Sequence, residues 1–462
     1  MSTSPTQIAG IHDFSPEVML KRKYIIHILE TQFKQYGFLP MQTPAIEHLD
    51  VLTDKYGDEG EQLLFKILNS GNFLDKVSLQ DYQKGYKALL PKITKKGLRY
   101  DLTIPLARYI ATHRHTLSLP FKRFQIQPVW RAEKPQKNRY REFYQCDIDI
   151  IGSNSLICEA EMLTMIGQIA NKLTLERVTI ALNHRLIFKA LSHQINAPEK
   201  EITLCRILDK LDKIGQEKVI AMLHKAGFTK SQIQHINWLF AAESSLEEGI
   251  QLLKKHLHPH EASRQAIADL EKIHSYLQAM QMSADLIAFT PTLARGLDYY
   301  TGTIFEVKVQ GTSTSIAGGG RYDQLTTLFG LHPIPSIGLS FGLDRLYQVL
   351  EEKKLLPKHI LSSTALLLIP LGTKEETPCL LHLKKLREAH IASEIYPAGH
   401  RLQKALSYAK KKNIPWVGIV GQEEMQKGLI ALKNMTEGFQ KSCALGDLIP
   451  MVKKNTLYSL AQ

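Results

Sequence analysis

The chain has 462 residues, 44% of them apolar and 22% charged, which excludes a disordered chain and gives room for two or three domains with their own cores. Lys and Arg number 58 against 45 Asp and Glu, a net charge of +13 that suits a polyanionic partner and equally a solvated basic surface. The longest apolar run, Ala365 to Leu371, falls far short of the ~20 residues that cross a bilayer, which argues against a membrane partner.

In chain order, Ser15-Pro16-Glu17 starts a helix with a capping side chain, proline at the first helical position and an acid in the first turn, and Gly37 stands where such a helix ends. Ile25, Leu29 and Phe33 form its buried stripe, with Lys21, Arg22, Lys34 and Gln35 on the wet side. Tyr36-Gly37-Phe38 to Thr43-Pro44-Ala45-Ile46-Glu47 reads as a helix-to-strand turn. Leu98 to Thr103 alternates like a strand, with Leu98, Tyr100 and Leu102 on one face and Arg99, Asp101 and Thr103 on the other. That polar face is either a solvent-facing sheet edge or, through Asp101 and Thr103, an acceptor pair for an ammonium group.

The next stretch is a hairpin whose two strands share a polar face. Gln125, Gln127, Val129 and Arg131 lie on it from the first strand; Arg141, Phe143, Gln145, Asp147 and Asp149 lie on it from the second. The connecting loop adds Lys134, Lys137 and Arg139, so basic residues gather at one end and aspartates at the other. Clustered guanidinium groups repel unless an anion such as phosphate sits between them; the acidic end calls for a cation, and Phe143 is placed to stack on a flat ring. A helix from Ser155 to about Leu173, a short strand Thr179 to Asn183, and a helical, histidine-rich stretch over roughly 186–282 follow. Those histidines lack any metal-ligand spacing and read as surface residues.

Arg295-Gly296-Leu297-Asp298-Tyr299-Tyr300-Thr301-Gly302 is a turn dense in polar groups that opens a strand with Phe305, Val307 and Val309 on one face. Ala317-Gly318-Gly319-Gly320-Arg321-Tyr322-Asp323 comes next, then Ser336 to Leu346, which reads as strand, glycine break and helix start with Arg345 on the first helical turn. After a charged linker at 351–361, strands at 365–371, 393–396, 416–421 and 428–433 alternate with helices at 378–389, 401–412 and 440–454, the pattern of a small α/β domain with a largely parallel, doubly covered sheet. Residues 362–462 hold 14 Lys and Arg against 8 Asp and Glu, or +6, with Lys404 and Lys410 to Lys412 on one basic helix. The five cysteines, at 146, 158, 205, 379 and 443, read as free thiols of a reducing compartment, and no apolar signal core precedes Gly10, so a cytoplasmic location is expected.

Several of these segments resemble one family. Arg295 to Val307 and Ala317 to Asp323 are similar to the two histidine-specific signatures of histidyl-tRNA synthetases; Tyr36 to Glu47, Arg131 to Phe143 and Ser336 to Leu346 resemble class II motifs 1, 2 and 3. The resemblance implies an α+β catalytic core with an antiparallel sheet of the class II synthetase type, a helical insertion and a C-terminal α/β anticodon-binding domain. Core residues would be 1–185 and 283–350, the insertion 186–282, the linker 351–361 and the anticodon-binding domain 362–462. It also implies ATP and Mg²⁺ as cofactors, and L-histidine, histidine tRNA and a second copy of the chain in a homodimer as partners. Histidine would be joined to ATP as histidyl-adenylate, with pyrophosphate released, and then passed to the tRNA.

Site residues carry over position by position. Arg131 and Arg295 would serve catalysis at the α-phosphate and reacting carboxylate, and Arg139 and Arg345 the outer phosphates. Phe143 would stack on adenine, with Glu133 and Arg141 also at ATP. Asp101, Leu102 and Thr103 would hold the α-amino end of histidine, and Gln145, Asp149, Tyr299 and Tyr300 would line its pocket. No protein metal site is implied. Gln324 departs from the family pattern, which has glycine there; if that glycine serves a positive φ, the turn here must differ. The alternative is a non-catalytic, histidine-sensing regulatory paralogue of the synthetase, against which stand the C-terminal domain and the intact Arg295, Arg131 and Arg345.

Overall fold

The helix signals near the start of the chain act as their chemistry requires. In the computed structural model, which describes residues 6–53, 63–134, 140–240, 243–294, 300–312, 314–357, 362–397, 399 and 401–454, a helix spans Pro16–Gln35. Ser15 Oγ accepts from the Val18 N–H at 3.4 Å, and Gly37 turns the chain out at φ +79°. Ile25, Leu29 and Phe33 are fully buried. Lys21 and Arg22 are buried too, against expectation: Lys21 pairs with Glu17 at 3.0 Å and the Arg22 guanidinium lies 4.1 Å from the Phe14 ring centre.

The chain divides into two compact units, residues 1–12 with 25–355, and residues 13–24 with 356–462. In the first unit the strands are, in chain order, β1 (Leu39–Pro40), β2 (Ile46–His48), β3 (Lys66–Leu68), β4 (Thr94–Leu98), β5 (Phe121–Trp130) and β6 (Glu142–Ile151). They continue as β7 (Val178–His184), β8 (Ser244–Ser245), β9 (Ile287–Phe289), β10 (Thr303–Val309), β11 (Ala317–Arg321) and β12 (Ser336–Gly342). Among the described residues nine of them make one sheet in the order β1-β5-β6-β12-β11-β10-β7-β9-β8, antiparallel at every junction except β1 with β5 and β7 with β9. Phe33 of the first helix meets Phe124 at 5.6 Å and Phe341 at 6.4 Å, so one face of β5 and β12 is closed by that helix. Because side chains alternate along a strand, the neighbours of Phe124 on β5 are turned to the other face. The stretch expected to be helical carries helices from Arg185–Gln194 to Glu261–Ala279 and lies within this unit.

The strand expected at 98–103 is not formed. β4 ends at Leu98 and a helix begins at Thr103, because Asp101 Oδ1 accepts the Ile104 N–H at 3.1 Å and so caps that helix. Arg99, assigned to a polar face, is buried with its guanidinium on the Thr43 carbonyl at 2.6 Å, the Pro128 carbonyl at 2.9 Å and Gln127 Oε1 at 3.1 Å.

The second unit has a sheet ordered β14 (Ser393–Ile395), β13 (Leu366–Pro370), β15 (Trp416–Val420), β16 (Ile430–Asn434), β17 (Gln440–Cys443). Only β14, β13 and β15 are mutually parallel; β16 and β17 run antiparallel, which corrects the largely parallel sheet expected. Residues 440–443 are strand, not helix, and the closing helix starts at Leu445. Both faces are covered: Leu366 and Leu368 pack with Leu386 and Leu448, Leu367 and Ile369 with Ala405 and Ala409.

Candidate active site

Register places the polar face of the hairpin at the centre of the large sheet. β5 and β6 pair Arg123 with Asp149, Gln125 with Asp147 and Gln127 with Gln145. On the other side of β6, β12 sets Gly338 beside Asp149 and Ser340 beside Asp147. The face expected from alternation therefore exists, with one correction. Its acidic end holds a cation of its own, the fully buried Arg123, whose Nη2 lies 2.6 Å from Asp149 Oδ2.

Asp149 is held on both sides, since the Tyr322 hydroxyl donates to its Oδ1. Glycine is required at 338: a Cβ there would overlap the Asp149 carboxylate. Burial raises the Asp149 pKa, with Arg123 and the Tyr322 hydrogen bond opposing. Burial also lifts Asp147 to about 7, with Arg123 opposing and Asp149 reinforcing. Gln145 Nε2 donates to Ser340 Oγ at 3.2 Å, while Gln145 Oε1 and Asp147 Oδ1 are buried without a hydrogen-bond partner among the described residues. Buried acceptors left unmet are costly, and a ligand that brings donors removes the cost.

Two adjoining cavities open on this face. The larger, about 510 Å³, is lined by Asp101, Thr103, Arg131, Gln145, Asp149 and Tyr300 among others. The smaller, about 200 Å³, has Arg131, Glu133, Tyr140, Phe143 and Arg345 in its wall. Arg131, Glu133 and Gln145 border both. Arg131 is braced for this position: its Nε donates to the Tyr100 carbonyl at 3.3 Å and its guanidinium lies 4.1 Å from the Tyr100 ring centre and 5.1 Å from that of Phe143.

Most of the residues singled out in the sequence are thus brought together. Leu102 is fully buried and Arg141 turns to the carbonyls of Glu133 and Ala9, at 2.9 and 3.3 Å; neither borders either of these two cavities. Arg139, Arg295 and Tyr299 lie outside the described residues. Arg321 of the glycine-rich strand is committed to structure, with its Nε and Nη2 on the Glu159 carboxylate at 2.6 and 2.8 Å. Gln324 has φ −89°, a right-handed conformation that asks for no glycine. Sequence reasoning missed Arg123, which one more step of the β5 alternation would have reached, and Tyr322 as the partner of Asp149. It also missed Asp209, Asp212 and Lys213, which reach the larger cavity from the helical stretch, where Asp212 meets Lys308 at 2.7 Å; nothing local marks them.

Among the described residues no group of three or more His, Cys, Asp or Glu side chains is arranged to hold a metal ion, and no helix is long and apolar enough to cross a membrane. All five cysteines are buried free thiols, as expected.

A family model described as histidyl-tRNA synthetase matches residues 91–346, and one described as anticodon binding domain matches 366–455. A histidyl-tRNA synthetase structure from Nostoc superposes with a TM-score of 0.84 at 26% identity, covering 98% of this chain and all of that one. The mixed catalytic sheet and the separate α/β unit are those of a class II aminoacyl-tRNA synthetase. Histidine–tRNA ligases from Cytophaga hutchinsonii and Phocaeicola vulgatus are each 43% identical, over 96% and 98% of this chain and 98% and 100% of theirs. The chain belongs to the histidyl-tRNA synthetase family and is a histidine–tRNA ligase. Family membership brings ATP, histidine and tRNA with it.

Proposed function

We propose that the larger cavity holds histidine, the smaller one ATP, and that Arg131 acts at the junction where they react. The observation that carries this reading is that Arg131 borders both cavities while fixed by the Tyr100 carbonyl and two aromatic rings. Asp101 and Thr103 receive the α-ammonium group, Gln145, Asp149 and Tyr300 line the rest of the histidine pocket, and Phe143 and Arg345 face adenine and the outer phosphates. The histidine carboxylate attacks the α-phosphorus, a new O–P bond forms, the bond to the bridging oxygen breaks, and pyrophosphate leaves. A ribose hydroxyl of the tRNA terminal adenosine then attacks the carbonyl carbon of the adenylate and AMP departs. Neither step needs a nucleophile from the protein; alignment and a preorganised positive charge lower the barrier.

Mg²⁺ carried by a nucleotide needs only one or two carboxylates beside the phosphates, and Glu133, which borders both cavities, is the acid placed to share it. The ion would neutralise charge on the phosphates. Residues 186–282 form an insertion within the catalytic unit in this reading, and 362–462 carry the anticodon contacts. The chain works as a homodimer, a state favoured by exposed apolar side chains in the segment before β4: Leu74, Leu79, Tyr82 and Tyr86 are 52–74% exposed. The test is histidine-dependent ATP–pyrophosphate exchange. Arg131→Ala is expected to lower its rate about 10²–10³-fold; a rate within a few-fold of the parent contradicts the assignment.

A further inference from the structure

The larger cavity contains an acceptor that the assignments above leave unused. Asp147 sits in the middle of the polar face, 3% exposed, opposite Gln125 on β5 and Ser340 on β12. It lines the cavity, Ser340 hydrogen-bonds its carboxyl group, and its Oδ1 has no hydrogen-bond partner among the described residues.

The charged groups around it are committed elsewhere. Arg123, on β5, is paired with Asp149, and Asp149 on its own strand also takes the Tyr322 hydroxyl. From the segment before the 103–113 helix, Asp101 accepts the Ile104 N–H and Arg99 is spent on the carbonyls of Thr43, Pro44 and Pro128. On β12 the facing positions are Gly338 and Ser340, neither charged. The charges of Asp149 and Asp101 add to burial in raising the Asp147 pKa, and that of Asp101 adds to burial in raising the Asp149 pKa. An unmet buried carboxylate oxygen in such a place is matched by an N–H donor that brings positive charge.

We propose that Asp147 is a substrate-binding residue, whose carboxylate accepts a hydrogen bond from a cationic N–H group of bound histidine and gives up its own proton when it does. The inference rests on the larger cavity being the histidine pocket. Burial holds the empty-site carboxyl at about 7, so near neutrality a proton is present to be displaced. Histidine offers the required chemistry at two places, the α-ammonium group and a protonated ring.

Calorimetric titration of the full chain with histidine, in buffers of differing ionisation enthalpy at about pH 6.5, tests this. Asp147→Asn keeps the shape and is expected to weaken histidine binding about tenfold or more and to abolish the proton release seen in the parent, with KM for ATP nearly unchanged. Since the empty site is largely neutral already, the ligand-free variant should melt no lower than the parent; a merely structural role would instead lower the melt and spare histidine affinity. Imidazolylpropionate, which lacks the α-ammonium group, distinguishes the donors: an equal loss in the variant assigns the ring, no loss assigns the ammonium. Parental histidine affinity and proton count in Asp147→Asn, while Thr103→Val weakens histidine, overturns the proposal alone. Parental affinity in both variants overturns the pocket reading as well.

Discussion

Charge is handled in opposite ways in the two units. On the polar face of the first, Arg123, Asp147 and Asp149 are at most 3% exposed, burial raises both carboxyl pKa values, and Asp147 Oδ1 is unmet among the described residues. In the second, Lys412 meets Glu394 at 2.6 Å with side chains 41% and 29% exposed, the Tyr408 hydroxyl joins them, and Lys404, Lys410 and Lys411 stay in water. Glu394 feels burial, but its hydrogen bonds from Lys412, Thr364 and Tyr408 prevail and hold it below its ordinary value. The difference separates two kinds of recognition. Desolvated charge with an open acceptor selects a small molecule by its donors, whereas wet lysines in a segment, residues 362–462, that carries +6 attract a polyanion with little selectivity.

Removing one charge from each unit separates the buried site from the solvated one most strongly. Arg123→Met leaves Asp149 buried without its cation and is expected to cost about 3–5 kcal/mol of stability. Lys412→Met, in a solvated pair, should cost less than about 1 kcal/mol. Denaturant unfolding of both variants checks this, and similar losses would show that burial does not distinguish the two sites. Next in size, Lys404→Glu with Lys411→Glu should weaken tRNA binding and flatten the slope of log affinity against log salt by about 1 for each phosphate no longer neutralised, with pyrophosphate exchange unchanged. An unaltered slope would remove the basic helix from the tRNA surface.

A further effect is a pH dependence. The Asp147 carboxyl lies at about 7 in the ligand-free fold against 3.8 ordinarily, so its ionisation opposes folding. Its contribution is complete below about pH 4 and is lost as pH rises through about 7. Measured as melting temperature, the parent should lose ground to Asp147→Asn across that window; a constant difference would place the carboxyl in an ordinary environment.

Much of this was legible in the chain because the signals were local. Ser15, Pro16 and Gly37 bound the first helix by their own chemistry, and alternation along 125–149 exposed the polar face without reference to any partner. Failure came where a local pattern had two outcomes. Leu98 to Thr103 alternates over too few residues to tell a strand from a turn, and the Asp101 carboxylate decided for a helix start. Gln440 to Cys443 adds a fourth junction to the second sheet through pairing with β16, which no short polar run announces. The pairing of Asp149 with Arg123 and Tyr322, and the approach of Asp212 to Lys308, depend on register and long-range packing, which a single sequence does not display.

In the proposed reaction two adjoining cavities, meeting at Arg131, hold two different substrates. Thr103 borders only the larger and Phe143 only the smaller. Steady-state ATP–pyrophosphate exchange on Thr103→Val and Phe143→Ala, with each substrate varied in turn, is the direct measurement. Expected are a raised KM for histidine with KM for ATP unchanged in Thr103→Val, and the reverse in Phe143→Ala. Equal shifts for both substrates in both variants, or an exchange of the two patterns, would contradict it.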